Sequence, residues 1–482
     1  MELVERFSYF TFWQREPDFQ YLTYAKACAS LEEPVISVAE LLYSVHEDLD
    51  LKLAQSILDL LPWNFAPATN LATGEIIWLP LDWFKLLNEF NGASAGNTQE
   101  EALLQGLSEL VERHVCAEIA ANNLQTPTVE VPNNLNPCLD GLLKAFEQNG
   151  IKLWLKDFSQ GLPLPTIGAI AYDPKTFPEH SEIVFTAGTA SDPCKAAIRA
   201  ITEIAQLGGD FCTNACYEAS GLPKFTQLAD VAWLEKGPTK LITEIKGVAA
   251  PDIKTELLSA INQLAPYHVY AYNITNPQLE IPAYYTIVPG FAFRERDSNQ
   301  SLGLFVGRRL VEEADLLTCK AGLHTLEEIY GTAHFMPFFK GMLALREENF
   351  AKAVEHFSMA IDEQPNSEAQ GLCAFYTGYA LSQTENFAQS IPYLEQALNF
   401  SQDMYAAANL LGVCHYKLQD YAKARDAFHF ALRLNKGSAL DLANLGLCEQ
   451  HLQLTELARE HLEAALELDP SIDFARKALE NM

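Results

Sequence analysis

The sequence has no apolar run near the ~20 residues that a bilayer-spanning helix needs. Its first residues lack the basic segment and apolar stretch that mark a secretory leader. Both absences point to the cytoplasm. Positive charge is scarce, with 33 Lys and Arg against 63 Asp and Glu and a formal charge of −30. Nucleic acid and anionic membrane surfaces would be repelled, so neither is an expected partner. The ten cysteines are scattered through apolar helical patterns and read as reduced and structural. Only Cys212 and Cys216 lie close together, and CxxxC spacing alone is poor evidence for zinc.

What is present exceeds one hydrophobic core, since 482 residues with 49% hydrophobic content imply two or more domains. The C-terminal third repeats. Gly378, Gly412 and Gly446 recur every 34 residues, with Ala397, Ala431 and Ala465 each 19 further on, and Gly341 and Ala360 begin the series. Ala353, Ala424 and Ala458 hold a position where only a small side chain lets paired helices touch. Pro365 and Pro470 close two of the units. This is the tetratricopeptide pattern, an all-α solenoid of helix pairs that binds or docks and does no chemistry. The first junction, 37 residues instead of 34 between Gly341 and Gly378, predicts a longer loop.

Before residue 320 two periodicities alternate. Segments 74–81, 151–158, 165–173, 181–189, 268–275 and 281–290 are rich in β-branched and aromatic residues and read as strands. Helical patterns fall at about 39–60, 98–122, 138–149, 193–207 and 252–263. An α/β or α+β domain is therefore expected ahead of the repeats.

Residues 91–114, NGASAGNTQEEALLQGLSELVERH, carry the most chemistry. Gly92 and Gly96 predict a loop that lets an anion approach the backbone, and it runs into a helix N-terminus with Thr98 and Glu101 at capping-box spacing. At 100° per residue, Glu101, Gln105, Glu109 and Glu112 form one stripe, while Leu103, Leu104, Leu107, Leu110 and Val111 occupy the other side. A stripe of this kind is either a solvated face or a carboxylate cluster for Mg2+. The word ELVER also opens the chain, so that Glu2 and Glu5 repeat the spacing of Glu109 and Glu112, with Arg6 and Arg113 alongside. Two helices facing one another could supply four carboxylates to one ion. In 191–206, Asp192 and Pro193 predict a helix start, and Arg199, Glu203 and Gln206 then share a face. A surface Arg–Glu pair also accounts for the first two.

NGASAGNT with EEALLQGLSELVERH, then RAITEIAQ, then IVPG at 287–290, together with the opening MELVERFS, resemble the YcaO superfamily over residues 1 to about 310. Some of its members carry C-terminal tetratricopeptide repeats. The resemblance implies a YcaO-like domain at 1–316, a linker at 317–335 and about four repeats at 336–482. It implies an enzyme that uses ATP and Mg2+ to phosphorylate a peptide amide oxygen. Glu2, Glu5, Glu109 and Glu112, with Glu101 beside them, would ligate Mg2+. Ser94, Asn97, Arg113, Glu203 and Gln206 would contact the nucleotide, with Arg199 in support; no catalytic residue is assigned.

The family's Lys- and Gly-bearing segment precedes the first ExxER motif, whereas this chain begins at that motif. Part of the ATP site is then expected to be missing, giving weak ATP binding and little hydrolysis by the chain alone. His114 stands where the family often has an acid, and the ending KALENM lacks the proline-rich terminus of members that cyclise azolines. That favours the accessory type linked to methylthiolation of a small-subunit ribosomal protein. The alternative is a catalytically impaired scaffold.

Expected partners are a peptide or protein substrate and, through the repeats, a protein partner or a second copy in a homodimer. Removing residues 336–482 should turn a dimeric parent monomeric in a solution mass measurement; a dimer that persists places the contact elsewhere.

Overall fold

The expected runs rich in β-branched and aromatic residues become strands, and Ala-Ser-Ala at 93–95 joins them without that composition. In chain order these are β1 (Gln20–Leu22), β2 (Trp63–Asn70), β3 (Ile76–Pro80), β4 (Ala93–Ala95), β5 (Thr128–Glu130), β6 (Lys152–Asp157), β7 (Thr166–Tyr172), β8 (Val184–Thr189), β9 (Thr239–Leu241), β10 (Tyr270–Asn273) and β11 (Ala283–Ile287). The structure, a computed structural model, describes residues 1–15, 19–208, 225–293 and 300–482. Cys212 and Cys216 lie outside the described residues. The chain forms two compact units, Met1–Leu302 and Gly303–Met482.

The first unit has two sheets. One runs β1-β2-β10-β11-β4 with β3 on the other edge of β2, and the second runs β8-β7-β6-β5-β9. Most pairings are antiparallel, and β5 with β9 is parallel. The 24-residue helix Gln99–Asn122 serves both sheets. Its first half buries Leu103, Leu107, Leu110 and Val111 with Ala271, Phe291 and the helix Ile253–Gln263. Its second half buries Val115, Cys116 and Ile119 with Phe158 and Ile170 of the second sheet. The opposite face of that sheet is covered by Ala196, Ala197, Ala200, Ile201 and Ile204 of the helix Pro193–Leu207. Its N-cap is Asp192, as the sequence predicts.

The helix Glu2–Phe12 buries Ser8, Tyr9 and Phe12. The Tyr9 hydroxyl donates to the Glu89 carbonyl, which also accepts from Tyr285 at 2.8 Å, and the Tyr9 and Tyr285 rings meet edge-on at 5.3 Å. The helical pattern expected over 39–60 splits into Val38–Tyr43 and Leu51–Leu58. The break passes through His46 at positive φ, and Asp50 caps the second piece.

In the second unit, helix pairs stack as the 34-residue period predicts, from Phe335–Arg346 with Phe350–Ala360 through Ala439–His451 with Thr455–Leu468, and Asp473–Glu480 closes the array. A Cβ on Gly341, Gly378, Gly412 or Gly446 would lie 2.6–2.8 Å from Phe357, Leu394, Phe428 or Leu462, each 16 residues on. The small-residue series is completed by Ser390, whose hydroxyl donates to the Gly378 carbonyl at 2.7 Å. The 37-residue junction is not a longer loop. The extra residues lengthen Ser367–Gln383 to 17 residues where its counterpart Tyr405–Lys417 has 13. Residues expected as a linker mostly form the helix Leu316–Tyr330. Preceding it is Leu302–Glu312, and Arg346 donates to the carbonyls of Leu310, Val311 and Ala314 at 2.6–3.2 Å. Among the described residues no helix is long and apolar enough to cross a membrane.

Gly412→Ala should lower stability by about 1–3 kcal/mol in urea unfolding, because a methyl forces Phe428 off its seat. Gly437→Ala, where the nearest atom to a new Cβ is 3.8 Å away, should cost far less. Equal losses would remove helix contact as the reason for the repeated glycine.

Candidate functional site

The stripe of acids is positioned by a close contact alongside it on the same helix. At Gly106 a Cβ would stand 2.7 Å from Ser94 Oγ and 2.9 Å from both the Gly92 carbonyl and Thr286 Oγ1. The bare Cα therefore lets the helix Gln99–Asn122 lie against β4 and β11. The Gly92 amide then donates to Glu109 Oε2 at 3.2 Å.

Gly92 and Gly96 do not form an open anion loop. Both are buried in the segment holding β4. The Gly92 carbonyl accepts from the Thr286 amide at 2.8 Å, and the Gly96 amide donates to the Pro282 carbonyl at 3.0 Å. The protein's own backbone fills the space that an anion was expected to take. The helix N-terminus is occupied as well. Thr98 accepts from the Glu101 amide at 3.2 Å, and Glu101 Oε2 accepts from the Asn97 amide at 2.9 Å and from its side-chain Nδ2 at 3.0 Å. The reciprocal capping bond falls on Asn97 instead of Thr98. Ser94 is 1% exposed and donates its hydroxyl to the Ala102 carbonyl at 2.7 Å, fastening strand to helix.

Glu5 of the first ELVER word is coupled electrostatically to Glu109 of the second. Burial and the charges of Glu109 and Glu2 push the Glu5 carboxyl up to about 7. Burial likewise raises Glu109, against Arg113, the Gly92 amide, Arg6 and Arg199. Burial pushes Glu112 up to about 7 although Arg199, Arg113 and a hydrogen bond from the Thr189 backbone oppose it, and Glu109 adds to the rise. Arg113 lies 3.7 Å from Glu109. Arg6 lies 3.9 Å from Glu5 and stacks over the Phe90 ring at 4.1 Å. Arg199 crosses from its own helix to donate to Gln105 Oε1 at 3.0 Å. Glu203 and Gln206 are exposed on that helix, and Glu2 is exposed on the first.

Crowded, desolvated carboxylates whose nearby arginines do not offset the burial cost are donor chemistry for a hard divalent cation. Among the described residues no three potential ligands already gather around one point. Side-chain rotation within the stripe would have to close the shell.

His114 serves packing. Its ring stacks on Phe291 at 4.4 Å, its Nδ1 accepts from the Ala292 amide at 3.1 Å, and burial lowers its pKa to about 4. Sequence reasoning missed Gly188, where a Cβ would sit 2.7 Å from Arg199 Cβ, and Thr189, which reaches Glu112. The only local sign was the run AGT at the end of a strand.

Compared with known proteins, residues 1–292 match the model of the YcaO family, described as YcaO cyclodehydratase, ATP- and Mg2+-binding. Residues 377–439 and 415–471 match a tetratricopeptide repeat model. An uncharacterized protein of Methanothermobacter thermautotrophicus is 25% identical over 236 residues, 46% of this chain and 58% of its own length. The ribosomal protein S12 methylthiotransferase accessory factor YcaO of Escherichia coli is 30% identical over 146 residues, 30% of this chain and 24% of its own. The chain thus spans about half and a quarter of these relatives. Among solved structures, YcaO from Methanopyrus kandleri bound with AMPPCP and Mg2+ is similar at 22% identity, over 48% of this chain and 64% of that one, with a TM-score of 0.39.

The raised carboxyls set a pH dependence. Glu5 and Glu112 hold their protons more tightly folded than unfolded. Their contribution to stability is therefore complete below the ordinary carboxylate range and is lost as pH rises through about 7. Without Mg2+ the melting temperature should fall between pH 5 and pH 8, less steeply in Glu112→Gln. Identical slopes for variant and parent would refute the account.

Proposed function

The chain belongs to the YcaO family, and from that membership we propose that it activates a backbone amide of a peptide or protein by ATP- and Mg2+-dependent phosphorylation. The observation that supports the proposal is the charge coupling of Glu5 on the first helix with Glu109 on the long one, with Glu2 beside Glu5 and Glu112 beside Glu109. These four would hold Mg2+, with Glu101 beside them. When bound, the ion would neutralise phosphate charge and orient the nucleotide.

The chain's own cations would complete the nucleotide site. Arg113 and Arg199 would bind phosphate oxygens with planar, paired donors. Asn97, Glu203 and Gln206 would line the nucleotide, and Ser94 would act through the strand that it fastens. In the reaction the amide oxygen bonds to the γ-phosphorus as the bond to ADP breaks. A nucleophile would then add at the amide carbon and give its proton to base, phosphate would leave with the oxygen, and the amide nitrogen would release its proton as the C=N bond forms. Amide oxygen is a poor leaving group and its phosphate a good one.

The finer proposal concerns the substrate. The Escherichia coli relative is named an accessory factor for methylthiolation of a ribosomal protein, and a similar role with a ribosomal or another protein suits a chain that also carries docking repeats. The repeats would bind that protein or a second copy of the chain. Tyr376, Tyr379 and Tyr416 are only half-buried on the repeat helices, whereas His415 is 6% exposed and packs inside.

A scaffold that binds partners without turnover is the second reading, favoured by the occupied helix N-terminus and the absence of a gathered ligand shell among the described residues. Calorimetry with Mg2+-ATP separates the two. The enzyme reading expects binding by the parent, and a loss of ATP hydrolysis of at least about a hundredfold in Glu109→Gln and Glu112→Gln with the fold intact. Unchanged turnover in both variants would overturn the enzyme reading of the stripe.

A further inference from the structure

Gln105 has no task in the scheme above, although it lies in the middle of the acid stripe. It precedes Glu109 by four residues and Glu112 by seven, so the three side chains leave one face of the helix. Its side-chain Oε1 accepts the 3.0 Å hydrogen bond from the Arg199 guanidinium. The backbone beneath Arg199 is fixed, because Gly188 lets the helix Pro193–Leu207 press onto β8 at that residue. The guanidinium itself sits on a long, flexible and exposed stem. An anchor at its tip is what gives it a direction.

That direction matters for the neighbours. The Arg199 charge acts on both Glu109 and Glu112 and is the largest influence opposing the burial of Glu112. The anchor's chemistry matters too. An amide oxygen accepts the hydrogen bond without adding charge, leaving the arginine's full charge for a phosphate. A carboxylate at the same position would pair with the arginine and add another negative group to a crowded stripe.

We infer that Gln105 is a positioning residue, whose side-chain carbonyl holds the Arg199 guanidinium beside Glu109 and Glu112 so that it meets the nucleotide phosphates already oriented. The inference rests on the proposed Mg2+-ATP reading of this site. Gln105 acts through Arg199 and touches no reacting atom.

The test is a double-mutant cycle on the full chain with Mg2+-ATP as the probe. Gln105→Met keeps size and helix propensity and removes the acceptor; it should raise KM for Mg2+-ATP about tenfold, the worth of a hydrogen bond to a charged group, with a much smaller change in kcat. In an Arg199→Ala background the same change should add nothing, since the group to be held is gone. Gln105→Glu keeps the acceptor and should still raise KM, because it neutralises the arginine. An unchanged KM in Gln105→Met, or an equal rise with and without Arg199, overturns the inference and leaves the proposed function standing. A parent chain that binds no Mg2+-ATP overturns both.

Discussion

The first unit depends on one absence of atoms, at Gly106. Helix and sheet surfaces normally meet through interlocking side chains, yet here the backbone of Gln99–Asn122 comes within contact of Ser94, Gly92 and Thr286 with nothing between. The Gly92 amide can then bond to Glu109 directly. Everything else in the site follows from having that helix seated at that depth. Its stripe of acids lies near the sheet edge where Arg6 meets Phe90, and its far end still reaches the second sheet.

Charge balance explains the rest of the arrangement. The chain carries a large excess of acid overall, but most of that excess faces water at little cost. Glu5, Glu109 and Glu112 differ because they are partly desolvated and close to one another. Arg6, Arg113 and Arg199 come from three separate segments and bring only partial compensation. A site in that condition is tense without a cation, and membership of an ATP- and Mg2+-binding family is in keeping with it.

Much of this was legible in the residues. The paired ELVER words, the Thr98 cap and the Gly period of the repeats each have one local cause and appeared where expected. The central strand β2 did not, because WNFAPATN reads as turn composition. Its Pro67 stands opposite Trp78 of β3, and on the other edge it is tolerated because β1 pairs only as far as Phe65 and β10 begins at Thr69. The glycines of NGASAG were legible as points of close approach. What approaches was not, since the occupant, β11, lies nearly 190 residues away in sequence. The same limit hid Gly188, Thr189 and the reach of Arg199 to Gln105: each depends on a neighbour that no local pattern names.

The long helix shared by two cores restricts the kinds of change that lineages of this protein can accumulate. Apart from Gly106, substitutions along it can be absorbed one at a time. A single inserted or deleted residue between Gly106 and Val115 cannot, because it would turn one half by 100° against the other and shift it by 1.5 Å. The half that stayed with its sheet would force the other to present polar residues to its core. Length in this segment is therefore more tightly held than sequence, and alignments of distant relatives should run without gaps across it even where few identities remain.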